Sequence, residues 1–311
     1  MRLEKPHITV IIPLYNKANY IQNTLQSVLN QSFQDFEIII IDDGSTDASL
    51  EKAKAIEDKR IQIISIKNQG VSNARNLGVS KANSAFIAFF DADDLWLKNH
   101  LEQLVSLKKA HPNCGMYANA YKKMQDGKAI PTTFDSTYSG IILDYFEASY
   151  IDGIASASSV MIPKRVFDKI GAFNVNITHT EDVDLWIRIA LNFPIAFNGE
   201  VTVIYQLDTI QNTSKIAMKN RKYLDLDSYF YNYKDHKSLK KYLDLNAYAI
   251  GITYKMAGDK LLAEQYFDKI DKANLNKKQL FLMQRSNKIL RSLLKIKHLL
   301  FKMGIVTSSY A

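Results

Sequence analysis

Three aspartates, Asp91, Asp93 and Asp94, stand at the end of the apolar run Ala85-Phe86-Ile87-Ala88-Phe89-Phe90. A run of that length without polar alternation predicts a strand buried on both faces, and carboxylates just past its carboxyl end face the crevice where open α/β sheets bind ligands. Two carboxylates one residue apart can hold a hard divalent cation and leave coordination positions free for substrate phosphates. A D-x-D triplet alone carries little. The chain has two more, Asp182-Val183-Asp184 and Asp225-Leu226-Asp227, and neither follows a buried-strand run. Two other strand ends deliver polar groups of a similar kind: Tyr15 after Ile8-Thr9-Val10-Ile11-Ile12, and Asp42-Asp43 after Phe36-Glu37-Ile38-Ile39-Ile40-Ile41.

The elements that position these residues are legible in order. The β-branched run Ile8 to Ile12 predicts a strand stopped by Pro13, and a helix fits Tyr20 to Leu29. A second strand ends at Asp42, where Gly44 permits a sharp turn and Ser45, Thr46 or Asp47 can cap a helix beginning near Ala48. Ile61 to Ile66 is a third strand, Gly70 to Gly78 leads into a helix, and the run before Asp91 is the fourth strand. Beyond these, a helix fits Asn99 to Ala110 and a strand Gly115 to Tyr121. Gln125 to Tyr150 predicts loop and short helix, Pro163 opens a short helix closed by Gly171, and Ile195 to Leu207 is strand. Thr180 caps an amphipathic helix whose first turn carries Glu181, Asp182 and Asp184. Alternating strand and helix predict a mostly parallel sheet with helices on its faces.

Composition bounds the class. The chain has 311 residues, 47% hydrophobic and 23% charged, enough for a main domain and an appendage. Its single cysteine, Cys114, cannot form an internal disulfide, which points to a reducing compartment and a buried thiol. No histidine lies in a zinc-binding pattern, the start has no secretory segment, and no apolar run reaches the roughly 18 residues of a membrane span. A cytoplasmic protein is expected. The net charge of +8 resides in the tail: Lys277, Lys278, Arg285, Lys288, Arg291, Lys295, Lys297 and Lys302 lie in a stretch without an acid, Asp271 being the last. Without these eight the chain is balanced, so no basic surface for nucleic acid is expected on the fold.

Taken together, Ile11-Ile12-Pro13-Leu14-Tyr15-Asn16, Ile41-Asp42-Asp43-Gly44-Ser45-Thr46-Asp47, Gly70 to Gly78 with Ala74-Arg75-Asn76, Asp91-Ala92-Asp93-Asp94, and Glu181-Asp182 before Leu185-Trp186 resemble the ordered motifs of family-2 glycosyltransferases. The resemblance covers roughly Ile8 to Leu207. It implies a GT-A fold, Rossmann-like, and inverting transfer of a hexose or N-acetylhexosamine from a nucleotide-sugar, a UDP-sugar, in building a bacterial surface polysaccharide or lipid-linked glycan. Pro13, Tyr15 and Asp43 would line the nucleobase pocket, Asp43 accepting the uracil imide hydrogen, with Arg75 beside the base or its phosphates. Asp91 would contact ribose or metal, Ala92 would lie in the donor site, and Asp93 would ligate Mn²⁺ or Mg²⁺. Asp182 would be the general base, although Glu181 and Asp184 in the same turn are alternatives. His179 reads as a loop residue without a role. The chain lacks the Q-x-x-R-W motif of processive synthases, so one sugar per encounter is implied. A G-x-G-x-x-G, a P-loop and the G-x-G-T-R of nucleotidyltransferases are also missing. A sugar-nucleotide-binding assembly subunit without catalysis is the competing reading.

The domains are expected at 1–213, catalytic, and 214–311, an all-helical extension. In the latter, Gly251, Tyr254, Gly258, Ala263 and Phe267 have the spacing of one tetratricopeptide-like hairpin. From Lys277 to Met303 the residues Leu282, Ile289, Leu293, Ile296, Leu300 and Met303 form a helical apolar stripe among the basic residues. Such a helix either binds an anionic membrane surface or docks on the catalytic domain.

Overall fold

The computed structural model describes residues 6–207 and 218–303. The chain divides into two compact units: one holds residues up to Tyr145, the stretch from Ile154 through the last strand, and Arg221–Leu224, and the other holds Phe146–Gly153 and the helices from Asp225 on.

In the first unit β1 (Ile8–Leu14), β2 (Phe36–Asp42), β3 (Ile61–Ser65) and β4 (Phe86–Phe89) alternate with α1 (Ile21–Leu29), α2 (Ser49–Lys54) and α3 (Val71–Lys81). There follow β5 (Leu95–Trp96), α4 (His100–Ala110), β6 (Met116–Gln125), β7 (Lys128–Ile130), β8 (Ser139–Ile142), α5 (Tyr145–Ala148), which passes into the second unit after its first residue, β9 (Val160–Pro163), α6 (Lys164–Ile170), α7 (Glu181–Ala190) and β10 (Ile195–Gln206). Among the described residues the strands form one sheet, ordered β3-β2-β1-β4-β9-β6-β10-β5, with β7 on β6 and β8 on β10. β1 to β4 pair in parallel, as do β6 and β10, while β9 runs antiparallel between β4 and β6. The result is a mixed, mostly parallel sheet flanked by helices.

Burial on both faces explains the unbroken apolar runs. Val10 and Ile12 pack with Ile21 and Leu25 of α1 on one face, and Ile39 and Ile41 pack with Ala74 of α3 on the other. α3 lies so close to the sheet that a Cβ on Gly78 would collide with Ile11. Because the chain moves from β1 to β2 on one side and to β4 on the other, the order reverses at β1, and a crevice opens at the carboxyl ends of β1 and β4.

Several local expectations are corrected. β1 does not stop at Pro13 but continues to Leu14, opposite Asp42. Ile11 O accepts from Phe90 N and Leu14 O from Asp43 N, so Pro13 faces the β4 side, where pairing has ended and a missing N–H breaks no ladder. β6 runs on to Gln125 and turns through Asp126-Gly127, both left-handed at φ 47 and 70, into β7. With β8, these strands are added to the expected loop and short helix, the latter being α5. Thr180 does not cap α7 through its side chain: it is left-handed at φ 69, and its hydroxyl accepts from Leu224 N at 3.1 Å.

In the second unit α8 (Leu226–Asn232) precedes α9 (Lys237–Ala257) and α10 (Lys260–Phe267), which form the expected hairpin. Gly258 turns the chain at φ 97, Gly251 admits the Phe267 ring, and Tyr254 and Tyr266 stack at 5.7 Å. The basic tail is two helices, α11 (Lys277–Met283) and α12 (Asn287–Lys302), because Ser286 caps the second. No helix among the described residues is long and apolar enough to cross a membrane.

Candidate active site

A cleft of about 560 Å³ opens at the carboxyl ends of β1, β2 and β4. Pro13, Tyr15, Asp43, Arg75, Asp91, Ala92, Asp93 and Asp182 all line it. They reach it from five segments: the ends of β1, β2 and β4, the second turn of α3 and the first turn of α7.

Asp43 forms part of the wall with both oxygens fixed, Oδ1 accepting from Gln69 N and Oδ2 from Gly70 N, each at 2.8 Å. Burial raises its pKa, and Asp42 beside it adds to the rise, while these two N–H groups oppose it. The loop after β1 is pinned to the loop after β2, since Asn16 Oδ1 accepts from Thr46 N at 2.7 Å and Lys17 N donates to Ser49 Oγ at 2.6 Å. That pinning aims Lys17 into the cleft, where its Nζ meets Asp93 Oδ2 at 2.5 Å.

Arg75, 3% exposed, joins the two acidic sides. Its Nη2 contacts Asp91 Oδ1 at 2.8 Å and its Nη1 contacts Glu181 Oε1 at 3.0 Å, with the guanidinium over the Phe173 ring. Burial works against its charge, but Asp91 and Glu181 hold its pKa above the ordinary value. Glu181 is pushed up to about 7, first by burial and then by Asp182. Asp182 is also raised, chiefly by burial, with Arg75 opposing. Asp184 is removed as an alternative base. Its Oδ2 is held by Arg188 Nε and Nη2 at 3.0 and 2.7 Å, and it does not line the cleft.

A buried polar core holds the Asp91–Asp94 turn. Asp91 N donates to Ser158 Oγ at 3.1 Å, and Ser158 Oγ donates to Asp94 Oδ2 at 2.5 Å. Asp94 Oδ1 accepts from Gln206 N at 3.0 Å, and Thr24 Oγ1 donates to Ala92 O and Asp94 O. Burial, then Asp91 and Asp93, raises the Asp94 pKa well above its usual range.

Sequence reasoning missed Lys17, Ser158, Tyr205 and Gln206, and it gave His179 no place in the cleft wall it lines. A lone lysine or serine carries no pattern, although Lys17 directly follows the Pro13 to Asn16 motif.

Residues 9–171 match the family model described as Glycosyl transferase family 2, more than half of the chain. The chain belongs to that family. A Bacillus subtilis relative, a putative teichuronic acid biosynthesis glycosyltransferase (TuaG), is 32% identical over 189 residues, which cover 60% of this chain and 72% of the relative. An uncharacterised glycosyltransferase of Rickettsia bellii is 35% identical over 191 residues, and there the chain spans only 27% of the relative's length. Among solved structures, Staphylococcus aureus TarS residues 1–349 in complex with UDP-GlcNAc superposes with a TM-score of 0.58 at 17% identity, covering 85% of this chain and 72% of TarS. The family-2 glycosyltransferase therefore has the GT-A fold of TarS.

Proposed function

We propose that this chain is an inverting, divalent-metal-dependent glycosyltransferase that moves one hexose or N-acetylhexosamine from a UDP-sugar to a hydroxyl of a glycan or lipid-linked acceptor in polysaccharide assembly. The observation that carries the reading is the convergence of Asp91, Asp93 and Asp182 in one cleft beside Asp43. The relative named for teichuronic acid biosynthesis and the TarS complexes with UDP-GlcNAc and UDP support the substrate class. Residues 1–213, apart from the Phe146–Gly153 segment that groups with the helices, serve as the catalytic domain and 214–311 as a helical extension, in the cytoplasm at the inner face of the membrane.

The donor set fits Mn²⁺ or Mg²⁺ together with a diphosphate. Among the described residues no cluster of three or more His, Cys, Asp or Glu could cage a metal alone. Asp91 and Asp93 each give one oxygen to a cationic side chain, and among the described residues no hydrogen bond is made to the other. One or two carboxylates completed by substrate phosphates is the usual protein share of such a site. A bound cation neutralises diphosphate charge and so makes a better leaving group.

The chain's own residues do the rest. Asp43, fixed by backbone N–H groups, accepts the uracil imide hydrogen, and Pro13 and Tyr15 wall the base. Asp182 takes the proton of the acceptor hydroxyl as that oxygen bonds to the anomeric carbon. The bond from this carbon to the diphosphate oxygen breaks on the opposite face, UDP leaves with the electron pair, and configuration inverts. Burial makes Asp182 a stronger base than a solvated aspartate once it is ionised.

A panel of nucleotide-sugars, measured by calorimetry and turnover with and without Mn²⁺, tests the reading. Asp93→Asn and EDTA should each abolish turnover, and Asp182→Asn should lower kcat by about 10² to 10⁴ while UDP affinity hardly changes. Full activity in EDTA removes the metal. Donor binding without turnover leaves the non-catalytic assembly subunit.

A further inference from the structure

α12 carries three faces rather than two. At about 100° per residue, Leu290 and Phe301 project on one side, and these are its buried side chains. They are not the stripe that the apolar spacing picks out. Ile289, Leu293, Ile296, Leu299, Leu300 and Met303 fall on a separate arc of roughly a third of the circumference. Five of them are between 41% and 60% exposed, and Leu300 is half-buried. Both borders of this arc are basic: Lys288, Lys295 and Lys302 lie exposed along one, and Lys297 stands at the other, while Arg291 turns away to donate to Met256 O at 2.6 Å.

An apolar face left in solvent while a different face of the same helix is docked needs an occupant. We infer that α12 lies in the interface of an anionic bilayer, with its Ile289–Met303 arc among the acyl chains and its basic borders at the headgroups. The charges select this occupant over a second copy of the chain. Joining two such arcs would bring eight like charges together, and no acid follows Asp271 to offset them. A lipid surface bearing negative headgroups accepts both the apolar arc and its borders at once. The inference rests on the glycosyltransferase reading only for why the membrane matters, since lipid-linked acceptors lie there. Membrane binding is read without turnover, so either can fail alone.

The test uses the full chain and sedimentation with vesicles of phosphatidylcholine, with or without phosphatidylglycerol. Binding is expected only with phosphatidylglycerol at low salt, and it should weaken as salt screens the headgroups. Lys295→Gln with Lys302→Gln should lower partitioning about thirtyfold at low salt. Leu293→Ser with Ile296→Ser should lower it at least about tenfold at every salt concentration, and because neither side chain is in the core the chain should still melt cooperatively. A chain indifferent to phosphatidylglycerol, or binding unaltered in both variants, overturns the inference. Concentration-dependent self-association that the Leu293→Ser, Ile296→Ser pair abolishes would instead give the arc to a second copy.

Discussion

Arg75 is the residue on which the charge balance of the cleft turns. Its guanidinium bridges a carboxylate at the end of β4 and one in the first turn of α7, so losing it would strand both acids in a buried site. Even so, Glu181 remains pushed up to about 7 from 4.5, by burial and by Asp182. Across that window the unfolded chain has released the proton and the folded chain still holds it. Stability therefore falls as pH rises from 4.5 to about 7, because the unfolded state binds fewer protons. Glu181→Gln should flatten this decline in urea unfolding measured at either end of the window. An unchanged slope would place the titration elsewhere. At this scale the strand-end acids were legible because an apolar run stopping at carboxylates is itself a pattern. Glu181 was visible only as a neighbour of Asp182, since its partner lies 106 positions away in the chain.

Elements place these residues through a few buried polar links. Ser158 stands just before β9, yet it holds the turn after β4: its hydroxyl accepts from Asp91 N and donates to Asp94, and its carbonyl accepts from Trp96 Nε1 at 2.7 Å. Ser158→Ala leaves a buried N–H and a buried carboxyl short of a partner, at a cost of about 1 to 3 kcal/mol. Thermal unfolding should show the loss, and Ser158→Thr should recover part of it. A variant as stable as the parent would mean that the turn is held without this hydroxyl. Long elements with regular spacing, such as α1, α4 and β2, were read within about two residues of their ends. Short edge elements were not. β7 has three residues and β8 four, too few for alternation to register, although Asp126-Gly127 is the dipeptide that a two-residue hairpin requires. Pro13 misled because a proline stop is a rule about hydrogen bonding, and here the neighbouring strand had already ended.

At the scale of the whole molecule, the helical unit is not only a C-terminal continuation. Phe146–Gly153, which the sequence reading covers only as far as Tyr150 and only as loop and short helix, belongs to it rather than to the sheet that surrounds it in the chain. Nothing local marks such a segment, because its apolar residues are satisfied by helices about ninety positions later. Phe146 is 3% exposed, its ring meets His236 at 5.3 Å and Tyr242 at 5.7 Å, and the Tyr150 hydroxyl donates to Ser238 O at 3.1 Å. In evolutionary and engineering terms the helical unit is discontinuous in sequence, since Phe146–Gly153 comes from within the stretch that otherwise builds the sheet. A protein ending at Leu224 should lose melting temperature and gain dye-binding surface at Phe146, and Phe146→Ser should relieve the second effect. If the shortened chain instead melts as the parent does, the inserted segment is a passenger. Grafting these helices onto another family member would carry over half a fold unless residues 146–153 travelled with them.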